Sequence, residues 1–404
     1  MAFLSACLIV KNEARLLPHC LESISTFVDE IIVVDTGSED NTVEIARRYS
    51  AKVHHFKWVD DFSAARNASL DHATGDWIFY IDADETVDQA NAARIRKIIT
   101  SESITQGKNI MAVTVRQRIP QQVDNIANAY YSEYCRIFRS HPAIRFEGAI
   151  HEQILPSIER LGGKVLRSDI VVYHWAYAAD KNKKRQRAER NLRFLLSELK
   201  RIPNDPFVHF NLGMTYRELG QLDKAMCSFH AALACNDNSI KRELLGQAHL
   251  NLAKLYLEKG DSEKAKHHAE QITIFDPANP LSAYMLATLA VRDSRFQDAI
   301  HYLEAAIRIA RGESGLPPTV ELNFARVYLE LGSCRCAAGD FTMAEQDFIL
   351  STNYNPKEAL PYILAGNCRF RRGDRLGARE MYERALAIDS SLKDAQQGLS
   401  LCKN

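Results

Sequence analysis

Between Leu212 and Ala385 one arrangement of small and large residues recurs five times, and this repetition restricts the C-terminal half to a stack of paired helices. The first copy is Leu212-Gly213, Tyr216, Gly220, Ala225, Phe229 and Ala232, and the second is Leu252-Ala253, Tyr256, Gly260, Ala265, Ala269 and Pro277. Leu286-Ala287, Ala290, Ala299, Leu303 and Ala306 give a third, with Ser294 where a turn glycine is expected. The fourth reads Leu331-Gly332, Gly339, Ala344, Phe348 and Pro356, and the fifth Gly366, Gly373, Ala378, Tyr382 and Ala385. Small residues let two helices approach closely, large ones fill the gaps, and glycine permits the turn between them. The turn positions 220, 260, 294, 339 and 373 are spaced by 40, 34, 45 and 34 residues. Two intervals therefore share one unit and two carry insertions, one of them at the chain-breaking run Gly312 to Pro318. Ser390 to Cys402 is expected to be a polar-faced capping helix.

The N-terminal half obeys a different rule. Phe3–Val10, Glu30–Val34, Lys52–Phe56 and Trp77–Ile81 read as strands, and Glu13–Thr26, Asn41–Tyr49 and Phe62–His72 read as helices between them. Asp40-Asn41-Thr42 supplies capping chemistry for the second helix. Met111–Arg118, Tyr134–Phe138 and Ile170–Tyr173 look like later strands. Strands separated by helices of this length imply an α/β, mostly parallel sheet. Between the halves, Lys181 to Arg201 carries nine Lys or Arg and two Glu, and Pro203-Asn204-Asp205-Pro206 ends it. A solvated linking helix is the simpler expectation, and contact with an anionic acceptor or a membrane surface is the other. The expected divisions are residues 1–180, 181–205 and 206–404.

Composition narrows the class without choosing within it. The 404 residues hold 51 Lys plus Arg and 51 Asp plus Glu, so no global field argues for nucleic acid or membrane. The apolar start, Met1 to Val10, has no basic segment before it, and Lys11-Asn12-Glu13 stops it too early for a membrane span; it is expected to be a core strand. Nine cysteines, an odd number, point to reduced thiols and a cytoplasmic place. Cys334 and Cys336 are the one close pair; they face different directions on a helix, and packing explains them.

The chemistry concentrates where the strand Trp77–Ile81 runs into Asp82-Ala83-Asp84-Glu85. If the extended backbone persists, Asp82 and Asp84 project to the same side. Two close carboxylates suit a divalent cation such as Mg2+ or Mn2+, and ligands of open α/β sheets bind beyond the carboxyl ends of strands. A solvated acidic turn is the alternative for an isolated Asp-x-Asp. Asp35-Thr36-Gly37 matches the aspartic-protease triplet, but that reading needs an all-β fold and a second such loop. A strand-end Asp35 with Gly37 opening the turn fits better.

Taken in order, Leu8-Ile9-Val10-Lys11-Asn12-Glu13, Ile32 to Thr42, Ala65-Arg66-Asn67, Asp82-Ala83-Asp84-Glu85 and Phe146 to Glu152 resemble the family 2 glycosyltransferases of the GT-A fold. The C-terminal repeats match the tetratricopeptide spacing. Trp58 to Asn67 together with the repeats is similar to a bacterial subgroup that includes peptide S-glycosyltransferases; similar catalytic segments occur in lipopolysaccharide-core glucosyltransferases. The resemblance implies a GT-A, Rossmann-like catalytic domain followed by an all-α tetratricopeptide solenoid, and an inverting transfer from a nucleotide-diphosphate sugar, a UDP-sugar first among them. It implies that Asn12, Glu13, Asp35, Arg66 and Asp82 hold the nucleotide sugar and that Asp84 ligates the metal. A structural role stays open for Asp35, as a helix cap, and for Arg66, as a partner of Asp60 or Asp61.

The transfer needs a base for the acceptor's hydroxyl or thiol. Glu152 is the preferred candidate, with His151 orienting it or binding diphosphate; an ion pair or acceptor positioning is the alternative for Glu152. A zinc-protease reading of His151-Glu152 fails because Leu155 stands where a second histidine is required. His174 is a candidate third protein ligand of the metal or a satisfied core or surface histidine, and Arg136 and Arg139 could reach phosphate, with salt bridges the simpler expectation. The expected partners are the donor, a protein, peptide or glycan acceptor, and a second copy through the repeats, with no nucleic acid and no transmembrane segment. Peripheral contact at the inner membrane stays open. A rival function is a nucleotide-sugar-binding adaptor of weak or no activity; a nucleotidyltransferase lacks its Gly-rich loop.

Overall fold

The computed structural model describes residues 2–101, 109–120, 127–175, 181–235 and 242–402. The chain forms two compact units: Met1–Pro120 with Tyr131–Glu198, and Gln121–Tyr130 with Leu199–Asn404.

The first unit is built on a twisted sheet. Its first strands are β1 (Leu4–Val10), β2 (Glu30–Asp35), β3 (Lys52–His55) and β4 (Trp77–Tyr80). Helices α1 (Leu17–Ser25), α2 (Thr42–Arg48) and α3 (Phe62–His72) connect them. β1 lies parallel to both β2 and β4, and β2 lies parallel to β3. Every residue of β2 and β4 is buried, as strands covered on both faces require. The remaining elements are β5 (Glu85–Thr86), α4 (Gln89–Thr100), β6 (Ile110–Pro120), β7 (Ala127–Arg139), α5 (Leu155–Arg160), β8 (Lys164–Leu166), β9 (Val171–His174) and α6 (Lys181–Arg201). The order across the sheet is β3-β2-β1-β4-β7-β6-β9-β5, with β4–β7 and β5–β9 antiparallel. Connections run outward from β1 to β3 and then return to β4 on the other side of β1. That reversal places a crevice at the carboxyl ends of β1, β2 and β4.

Local chemistry explains the departures from the sequence reading. The first helix begins at Leu17 rather than Glu13, because Pro18 belongs in a first helical turn. Asn41 occupies the cap position of α2 without a side-chain bond, and Asp40 instead accepts from the Thr42 amide at 3.0 Å. The strand before the acids stops at Tyr80, so the extended backbone does not persist through Asp82 and Asp84.

The second unit is a run of antiparallel helix pairs: α7 (Pro206–Glu218) with α8 (Leu222–Ala234), α9 (Arg242–Glu258) with α10 (Ser262–Phe275), α11 (Leu281–Arg292) with α12 (Phe296–Ala310), α13 (Phe324–Ala337) with α14 (Phe341–Tyr354), and α15 (Ala359–Arg371) with α16 (Arg375–Ile388). α17 (Lys393–Leu401) follows. A Cβ on Gly332 would lie 2.7 Å from the Phe348 ring, so glycine there lets the ring seat against the backbone of the facing helix. Ser294 adopts the left-handed φ of 58° that glycine takes at the other four turns. The insertion after α12 forms a short strand, β10 (Val320–Leu322), antiparallel to Ala127–Tyr130, the part of β7 belonging to this unit.

Candidate active site

Arg66 leaves the buried side of α3 and bonds two carboxylates far apart in sequence. Its Nη2 donates to Asp82 Oδ1 at 2.7 Å, and its Nε donates to Glu152 Oε1 at 2.5 Å. It touches neither Asp60 nor Asp61: Asp61 caps α3 by accepting from the Ala64 amide, and Asp60 accepts from the Trp58 indole. Arg136, on β7, reaches Asp82 Oδ2 at 3.2 Å and Glu85 Oε1 at 2.7 Å. The Tyr80 ring lies beside both guanidinium groups, 4.8 Å from that of Arg66 and 4.4 Å from that of Arg136.

The electrostatics divide these acids. Burial pushes Asp82 up, but Arg66 and Arg136 outweigh it and hold the carboxylate well below its usual range. Glu85 is fully buried; burial pushes it up to about 7 against the pull of Arg136, and it accepts from Gln117 and from the Asp82 amide. Asp84 turns the other way. Its Oδ2 lies 3.4 Å from His174 Nε2, the last residue of β9, and its carbonyl accepts from the Trp175 amide. Burial, followed by the Asp82 charge, raises Asp84 against the pull of His174, and burial lowers His174. Arg187 of α6 adds positive charge to this pair. Ala176 and Tyr177, which follow His174 and Trp175 in sequence, lie outside the described residues.

Glu152 stands on a short turn locked at both ends. Glu147 and Gln153 exchange two backbone hydrogen bonds, and Ala149 accepts from the Phe62 amide at the start of α3. Gly148 and His151 both have positive φ, 96° and 55°. Burial lowers the His151 pKa against the pull of Glu152, so its imidazole is neutral near pH 7.

A further cluster forms at the ends of β1 and β2. Asp35 is buried and accepts from the Gly37 and Ser38 amides, with His55 Nδ1 at 3.3 Å. It closes its own loop rather than capping α2. Asn12 Oδ1 accepts from the Glu39 amide at 2.7 Å, and the Glu13 amide donates to Thr42 Oγ1. The structure therefore brings Arg66, Asp82 and Glu152 together, pairs Asp84 with His174, and gathers Asn12, Glu13 and Asp35 at neighbouring strand ends. Arg136 forms salt bridges with Asp82 and Glu85, a placement the sequence did not make legible; Arg139 lies 4.7 Å from the Trp77 ring and donates from Nε to the Ile110 carbonyl.

Comparison with known proteins adds to this geometry. The profile described as Glycosyl transferase family 2 matches residues 5–141, and two tetratricopeptide-repeat profiles match residues 208–234 and 250–314. The chain is 33% identical to a TPR repeat-containing protein of Synechococcus elongatus over 72% of each chain. It is 29% identical to the SPbeta prophage-derived glycosyltransferase SunS of Bacillus subtilis, over 54% of this chain and 49% of that one. An uncharacterized glycosyltransferase of Rickettsia felis is 36% identical over 26% of this chain and 36% of its own length. Fold and matches together define a sugar-transferring enzyme. The chain carries a family 2 glycosyltransferase domain within residues 5–141, and tetratricopeptide repeats follow it. Among the described residues, no helix is long and apolar enough to cross a membrane.

Proposed function

We propose that this enzyme moves a sugar, with inversion at the anomeric carbon, from a nucleotide-diphosphate sugar to a protein, peptide or glycan acceptor. The donor class proposed first is a UDP-sugar. The observation that carries the reading is the double contact of Arg66, which ties Asp82, 16 residues along the chain, to Glu152, 86 residues along it. A fold held without function has little reason to bury one guanidinium between two carboxylates from separate loops, because each buried charge costs desolvation.

Asp84 and His174 are the pair that would hold a divalent cation, Mg2+ or Mn2+. A carboxylate raised by burial and by a like-charged neighbour gains from a cation, and a neutral imidazole is a ready ligand. Among the described residues no group of three or more His, Cys, Asp or Glu is arranged to hold a metal. The remaining ligands would therefore be donor phosphate oxygens and water, a usual pattern for Mg2+. Bound there, the cation would offset charge on the departing diphosphate.

In this reading Glu152 takes the acceptor's proton as its oxygen or sulfur attacks the anomeric carbon, and the nucleoside diphosphate leaves with the bonding electrons. Arg66 fixes the Glu152 carboxylate through Oε1, and neutral His151 orients the same turn. Asn12, Glu13 and Asp35 hold the base and ribose, Asp82 meets the ribose or sugar, and the repeats recruit a macromolecular acceptor or a second copy. The test is nucleoside-diphosphate release from a panel of nucleotide sugars with and without Mn2+. Metal-dependent release from one donor, raised by acceptor, is expected. No release from any donor overturns the reading and leaves a binding adaptor.

A further inference from the structure

The sequence places Cys334 and Cys336 side by side, but the fold separates them. Cys334 packs into the core shared by the third and fourth repeats, whereas Cys336 turns toward the fifth. There its Sγ lies 3.3 Å from Cys368 Sγ, which comes from α15, 32 residues further along the chain. Cys368 belongs to an apolar cluster with Phe348 and Ala344, and the half-buried Cys336 packs against that cluster, which holds the two sulfurs together. A closure of about 1.3 Å would bring them to the disulfide length of about 2.05 Å.

The pairing is particular to this junction. Cys336 stands three residues before the turn of its repeat, and Cys368 stands five before the next. The same two positions at the earlier junctions hold Arg217 and Leu255, Leu257 and Leu289, and Val291 and Cys334. Each of those junctions places at most one thiol there.

We propose that Cys336 and Cys368 form a redox-responsive dithiol, a modification site that closes to a disulfide when a small-molecule disulfide is present. The two thiols differ in the way such a pair requires. Cys336 is half-buried and therefore reachable, whereas Cys368 is buried at 1% exposure. The hydrogen bond from Cys368 lowers the Cys336 pKa, with Arg371 adding to the effect, which favours the nucleophilic thiolate at the reachable position.

In the first step the Cys336 thiolate attacks one sulfur of the small disulfide, forming a mixed disulfide and releasing one small thiolate. The Cys368 sulfur, deprotonated by that thiolate, then attacks Cys336 Sγ and expels the second small thiol. Two protein thiols are oxidised and one small disulfide is reduced to two thiols, so atoms and electrons balance. The new bond fixes the spacing between α13 and α15, the first helices of neighbouring repeats, and removes freedom from the unfolded chain by closing a long loop.

The full-length protein is equilibrated in glutathione buffers running from reduced to oxidised, quenched, alkylated and digested without reductant. A cross-linked peptide joining Cys336 and Cys368 is expected in oxidised buffer and its loss on reduction, and the repeat melting transition is expected to rise by roughly 5–10 °C on oxidation. Exposed Cys227 reports that oxidant has reached the protein, since it should carry a glutathione adduct. If Cys227 is modified while Cys336 and Cys368 are both alkylated, or while Cys336 remains a mixed disulfide, the proposal is wrong. In Cys336→Ser the cross-link and the rise in melting temperature should both vanish. A rise that persists assigns the stabilisation to other cysteines and also overturns the proposal.

Discussion

The transferase site and the repeat core are built from opposite materials. In the transferase unit, Arg66, Arg136, Asp82 and Glu85 meet beside the Tyr80 ring, and each ion pair among them joins residues 16 to 54 positions apart. In the repeat unit the centre is aromatic rings seated on glycine backbones: Phe229 on Gly213, Phe348 on Gly332 and Tyr382 on Gly366. The repeats specify themselves with local packing, each pair needing only its neighbours. The transferase unit adds to its apolar core a site ordered by long-range charge, at the cost of depending on every partner.

That contrast is sharpest under substitution. Asp84→Asn should reduce metal-dependent donor turnover on the order of 10³–10⁴-fold while leaving both melting transitions nearly unchanged, because a carboxylate raised by burial stabilises the fold little. Normal turnover would remove Asp84 from the site. Arg66→Met leaves half-buried Glu152 without its guanidinium and Asp82 with Arg136 alone, and should cost the transferase unit about 3–5 kcal/mol in urea unfolding. A loss below about 1 kcal/mol would mean that the charge network is not what holds this unit.

Glu152→Gln keeps the shape of the turn, so stopped assays should show kcat falling on the order of 10²–10³-fold with little change in donor KM. A loss confined to acceptor KM would make Glu152 a positioning group. On the other side of the comparison, Gly332→Val drives side-chain atoms into the Phe348 ring and should destabilise the repeats by about 2 kcal/mol. An unchanged repeat transition would show that ring-on-backbone packing is dispensable.

The smallest effect concerns pH. In the second repeat His249 Nδ1 lies 2.8 Å from His268 Nδ1, with His230, His267, Lys264 and Tyr256 around them. Burial first, then neighbouring histidines, lower both pKa values to about 4. Between pH 6.5 and 4 the unfolded chain therefore binds more protons than the folded one. The stabilisation is complete above about 6.5 and is lost as pH falls toward 4. The repeat transition should drop by roughly 5 °C between pH 7 and pH 5, and His268→Gln should flatten that dependence. A flat profile in the unaltered protein would show that the pair is not buried as neutral imidazoles.

How much was legible follows the same division. Five repeats could be read because their determinants recur on the chain itself, and the first four strands because they are apolar runs bounded by turns. β5 and β8, two and three residues long, exist only because β9 and β6 pair with them, so no local pattern announces them. β10 lay hidden in an insertion for the same reason. α4 was legible and missed: Asp88 caps it, and Ala92, Ile95 and Ile99 form its buried face. In the site, the Asp-x-Asp was visible as a pair, but its division was not. Asp82 takes two arginines and Asp84 a histidine because the strand stops early, a result of folding that residue spacing does not encode.

The short ladder between Val320–Leu322 and Ala127–Tyr130 bears on inheritance. Those few residues lie far up the chain from the repeats, inside the stretch that encodes the transferase, yet they are part of the repeat unit. Recombination at a single point between the halves would separate them from their partner strand and leave backbone amides and carbonyls bare on both sides. A lineage can therefore exchange one half for another only if two segments of the gene travel together, so these repeats and this transferase are expected to share one evolutionary history.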